Sequence, residues 1–89
     1  MGLSRYTLSS HVLQEMARRG VLREVVEDIL AQPEQVVAGR DNRTIYQSRL
    51  DKEEEKTYLV RVVVDEQIDP PVVITVYRTS KVQKYWRTE

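Results

Sequence analysis

The chain is predicted to be an α+β protein. Two N-terminal helices pack on one face of a four-stranded antiparallel meander sheet, and a short C-terminal helix follows. Three observations predict this. Apolar residues recur at helical spacing from Val12 to Leu30. From Glu34 the apolar period drops to two. Asn, Asp, Gly and Pro fall between the alternating runs, where reversals of the chain need them.

Arg5–Leu8 reads as a short leading strand. Ser9 or Ser10 then offers a side-chain oxygen to the free N–H groups of a first helical turn. Val12, Leu13, Met16 and Ala17 share one side of that helix. Arg18 and Arg19 suit its negative end, and Gly20 can take the left-handed conformation that stops it. Val21, Leu22, Val25, Val26, Ile29 and Leu30 form the stripe of a second helix. Its expected N-cap, Leu22, has no acceptor to offer. Pro33 disfavours helical geometry at Gln32 and ends the helix there.

"QVVAGR" and "TIYQSRL" read as two strands joined at "RDNR", with Asp41 and Asn42 suited to positive φ. "DKEEEK" reads as an acidic turn, "TYLVRVVV" as the third strand, "DEQIDPP" as a turn and "VVITVYR" as the fourth strand. Ser80 is expected to cap a terminal helix through Trp86. Strict alternation puts Tyr58, Val60, Val62 and Val64, with Val72, Ile74 and Val76, under the helices. Leu59, Arg61 and Val63, with Val73, Thr75 and Tyr77, take the other face. Whether Gln47 and Arg49 or Ser48 joins the Arg61 face stays open, because a slip of one residue exchanges them.

The 89 residues suit one domain, 1–89, with a single core. There is no cysteine, which excludes disulfides, thiolate metal sites and a cysteine nucleophile. No apolar run reaches the roughly 20 residues of a membrane helix, and "MGLSRYT" lacks a signal-peptide core. A cytoplasmic protein without membrane contact is expected. The net charge is zero but unevenly spread. Both ends are basic, while residues 51–69 carry seven acids. This balance argues against tight non-specific nucleic-acid binding and leaves room for a local basic site.

Three features bear on chemistry. Arg61 lies inside "LVRVVV", where a charge needs water or a partner. It would sit on an exposed face beside a carboxylate, or join Thr75 and Tyr77 around a phosphate. His11, the single histidine, is either a solvated helix-start residue or a proton carrier. In the tail, Val82, Tyr85 and Trp86 make an apolar stripe that plugs the core. Arg78, Lys81 and Lys84 remain beside it for phosphate contact. No Gly-rich phosphate loop and no Gly-x-Ser-x-Gly elbow occurs. An enzyme built from these groups is most simply a cofactor-free one acting on phosphate esters. RNA, which carries its own 2′-hydroxyl nucleophile, fits best.

"YTLSSHVLQEMARRGVLREVVEDILAQPEQVV", with "YLVRVVV" and "VVITVYRTSKVQKYW", resembles the prokaryotic domain-of-unknown-function family 4258. His11, Arg19-Gly20, Pro33-Glu34 and Thr75-Val76-Tyr77 carry the likeness. That family is distantly similar to the RelE and BrnT-type ribonuclease toxins. The resemblance implies a metal-independent endoribonuclease, RNA as substrate and a cognate antitoxin as partner. It points to His11, Arg61, Tyr77, Arg78 and Lys81. Arg61 and Lys81 would hold the scissile phosphate, and His11 or Tyr77 would move protons. This requires His11, Arg61, Tyr77 and Lys81 to converge on one concave face. The alternative is a non-catalytic binding or assembly module, homodimeric through an edge strand or the tail.

Overall fold

The computed structural model describes residues 2–53 and 56–88, and of residues 51–53 the backbone. The elements are β1 (Thr7–Leu8), α1 (Ser10–Arg19), α2 (Arg23–Ala31), β2 (Gln35–Ala38), β3 (Thr44–Glu53), β4 (Lys56–Asp65), β5 (Val72–Thr79) and α3 (Val82–Tyr85). The class is α+β, as the periodicity predicts. The sheet is larger than expected, with five strands in the order β1-β5-β4-β3-β2. β1 pairs parallel to β5, Thr7 with Val72 and Leu8 with Val73, so the sheet is mixed. A parallel pair needs a long crossover. Here everything between β1 and β5 supplies it. Among the described residues no helix is long and apolar enough to cross a membrane.

Ser9 is the N-cap of α1, and its hydroxyl accepts from the Val12 N–H at 3.1 Å. Ser9→Ala should lower the unfolding free energy by about 1 kcal/mol, read from a urea titration. Gly20 stops α1 at φ 70°, its N–H returning to Ala17 and that of Val21 to Met16. Leu22 begins α2 with no side-chain cap. It is 63% exposed, so the buried stripe of α2 lacks it. The chain leaves α2 at Gln32, next to Pro33.

The β2–β3 turn places Asp41 and Asn42 at φ 56° and 62°. The β3–β4 ladder runs further than expected, through Asp51 with Thr57 and Glu53 with Lys56. The strands thus extend into the run expected to be a turn, and residues 54–55 lie outside the described residues. In β5 strict alternation fails. Val63 faces Thr75 but Val64 faces Val73, which leaves Ile74 as an extra residue. This bulge flips the phase of the strand below it. Val73 therefore joins Val76 in the core, in place of Val72 and Ile74.

The core lies between the helices and one sheet face. Val12, Met16, Val26, Ile29 and Leu30 meet Tyr46, Val60, Val62, Val64, Val73 and Val76. The opposite face is buried too. Val37, Ile45 and Leu59 lie on it, with Gln47 and Arg61. Across it runs the C-terminal segment. α3 is a single turn with Lys81 at the N-cap position. Ser80 does not cap it. Instead Thr79 Oγ1 accepts from the Lys81 N–H.

Candidate functional site

β1 is so short that β5 has only one neighbouring strand beyond Val73 among the described residues. α1 lies along this open edge. Arg19 Nη1 donates to the free Val76 carbonyl at 3.0 Å. Helical spacing puts His11, Glu15 and Arg19 on one side of α1. Glu15 is the hub. Its Oε1 accepts from Thr75 Oγ1 at 2.8 Å, and its Oε2 lies 3.4 Å from His11 Nε2 and 3.9 Å from Arg19 Nη2. The Thr75 hydrogen bond holds the Glu15 carboxyl below the usual carboxylate range. Arg19, His11 and Arg18 add to this against the opposing cost of burial. At neutral pH Glu15 is a carboxylate with an acceptor site directed to solvent-exposed His11.

Beside this carboxylate is an open cleft lined by Arg19, Thr75, Tyr77 and Arg78. Arg78 points to the helix side and its guanidinium stands 5.0 Å from the Tyr58 ring centre. Among the described residues no carboxylate pairs with Arg78. Two arginines and Tyr77 therefore line one opening with donors suited to phosphate, while the Thr75 hydroxyl gives its one proton to Glu15.

Behind the cleft runs a polar row. The register sets Gln35, Gln47, Arg61 and Tyr77 side by side across β2, β3, β4 and β5. Arg61 is 8% exposed. Its Nε donates to Gln47 Oε1 at 2.8 Å, and its Nη1 donates to Tyr77 Oη at 2.7 Å. Among the described residues no carboxylate pairs with it, so the expected exposed ion pair is replaced by neutral acceptors. The cause is the C-terminal segment. The Tyr85 ring lies 4.3 Å from Arg61 Cζ, and the Trp86 ring 4.3 Å from Arg49 Cζ. Gln47 Nε2 donates to the Tyr85 carbonyl, and Gln35 bonds both backbone groups of Arg87. The aromatic residues of the tail do plug, but they seal the second sheet face rather than the helix-side core.

The predicted site residues therefore fall into three groups. His11, Thr75, Tyr77 and Arg78 gather at the β5 edge. Arg61 stands behind them and reaches the cleft only through Tyr77. Thr75 turns to Glu15 instead of toward Arg61. Lys81 and Lys84 are exposed on the tail, where Lys84 Nζ lies 5.3 Å from the Tyr85 ring centre. Sequence reasoning missed Glu15 and Arg19. Their signal was the spacing of four in the series His11, Glu15, Arg19, which makes a polar line along a helix that sends Val12 and Met16 to the core. Among the described residues no three His, Asp or Glu side chains gather as a metal site requires.

Searches of curated proteins and of solved structures return no match. A family profile does match, over residues 8–78, which spans everything from the end of β1 to the cleft residue Arg78. The chain belongs to that family, the domain of unknown function DUF4258.

Proposed function

We propose that this domain is a toxin-like, metal-independent endoribonuclease of the RelE and BrnT kind, held in check by a cognate antitoxin. One observation carries the reading: the Glu15 carboxylate, beside His11, is hydrogen-bonded to Thr75, which lines a cleft together with Arg19, Tyr77 and Arg78. Arg19 and Arg78 take the charge of the scissile phosphate. Glu15 receives the proton of the 2′-hydroxyl as the 2′-oxygen bonds to phosphorus. The bond from phosphorus to the 5′-oxygen breaks, and that oxygen takes a proton from Tyr77. The Tyr77 oxygen accepts from Arg61, so its own O–H is free to donate and the phenolate left behind is stabilised. His11 passes the Glu15 proton to solvent, and Tyr77 regains one.

The test is incubation of the purified domain with single-stranded RNA of mixed sequence in the presence of a chelator. Expected products carry 2′,3′-cyclic phosphate and 5′-hydroxyl ends. Intact RNA, together with unimpaired growth of bacteria expressing the domain, removes the reading. It would favour the second one, a non-catalytic module that pairs with itself. The observation behind that alternative is the outer edge of β2, which among the described residues has no neighbouring strand.

A further inference from the structure

On the helix side of Arg78 lies a groove of about 250 Å³. Val21, Leu22 and Val25 form one wall, Leu50 and Val60 the other, and Arg78 the rim. Arg78 also lines the polar cleft, so the apolar and the polar openings share one arginine. Its guanidinium is held in place. The Tyr58 ring faces it, with the ring centre 5.0 Å from Arg78 Cζ, and Gly20 lies alongside it. At φ 70° other residues are strained there.

We infer that the groove is the base pocket of a nucleotide whose phosphate occupies the polar cleft. The inference rests on reading that cleft as a phosphate site. A ligand spanning both openings needs a flat apolar body and an anion a short distance away, and a nucleotide has both. Arg78 can contact the phosphate while its guanidinium edge borders the ring. The groove also accounts for Leu22. A leucine at an N-cap forgoes a hydrogen bond, and at 63% exposure this one gains little from the core. As a groove wall it covers a bound ring. Apart from Arg78 the lining has no side-chain hydrogen-bonding group, so the pocket accepts purines and pyrimidines alike.

The test is a titration of the full chain with four probes, AMP, CMP, ribose 5-phosphate and inorganic phosphate, followed by backbone-amide NMR shifts. Both nucleotides should bind about tenfold or more tighter than ribose 5-phosphate, the usual gain from burying one base face. The added shifts should map to Val21–Val25 and Leu50. Leu22→Ser, which supplies a cap hydroxyl and so keeps α2 intact, should abolish the nucleotide advantage and leave ribose 5-phosphate binding unchanged. Equal binding of nucleotides and ribose 5-phosphate overturns the base pocket alone, and so does an advantage that survives Leu22→Ser. Failure of all four probes overturns the phosphate cleft beneath it. Cleavage assays answer separately whether RNA is turned over.

Discussion

Gln47→Leu should destabilise the domain by about 3 kcal/mol, the scale for breaking a buried charge network from one side. Gln47 is fully buried. Its Oε1 accepts from Arg61 Nε, and its Nε2 donates to Gln35 Oε1 and to the Tyr85 carbonyl. Leucine fills the space and satisfies none of these groups. The largest cost is the guanidinium, which loses an acceptor where water cannot replace it. The double variant Gln47→Leu, Arg61→Met should regain much of the loss, because no buried charge is then left unpaired. Equilibrium urea unfolding of both single variants and the double variant measures this. A Gln47→Leu loss under about 1 kcal/mol, or strict additivity, would show that the row contributes less than the geometry implies.

Why this row was hard to read in the sequence is physical. Arg61 stood out in an apolar run, but the identity of its partner depended on register. Gln47 and Ser48 differ by one step along β3, and only the pairing Gln47 with Arg61 decides between them. The helices were easier, since their signals are local: the Ser9 cap, the Gly20 stop and the proline after Gln32. The positive φ values of Asp41 and Asn42 were likewise readable from residue type. The signals that failed were non-local. The short leading strand was legible, and β1 forms within it, but its parallel pairing with β5, more than sixty positions away, was not, and the β5 bulge shifts Val73 into the core without any glycine to mark it. The tail gave the right residues and the wrong surface. Tyr85 and Trp86 are apolar enough to need cover, yet arginines on the second face hold them. For the site, the β5 residues and His11 were visible. Glu15 was not, because a glutamate on a helix is ordinarily solvated, and its burial follows from α1 covering the open half of β5.

Glu15→Gln should reduce RNA cleavage by about a thousandfold in kcat, the middle of the range for removing a positioned general base. The amide keeps the shape, and its oxygen can still accept from Thr75, so the fold should survive and RNA affinity should change little. What disappears is the ability to take the 2′-hydroxyl proton. The pH dependence separates this role from a structural one. The Thr75 hydrogen bond, helped by Arg19, His11 and Arg18, lowers the Glu15 pKa. A carboxylate with a lowered folded-state value stabilises the fold above its ordinary unfolded value and loses that contribution as pH falls through the lowered one. Two outcomes follow. The stability difference between wild type and Glu15→Gln should be constant at neutral pH and shrink in acid. The acid limb of kcat for the wild type should lie below the ordinary carboxylate range, at the same pH at which that stability difference falls away. Thr75→Val removes the first cause of the shift, so it should move both transitions to higher pH together while leaving appreciable activity at neutral pH. Full cleavage by Glu15→Gln would take the carboxylate out of the chemistry and leave Arg19, Tyr77 and Arg78 as a binding cleft only.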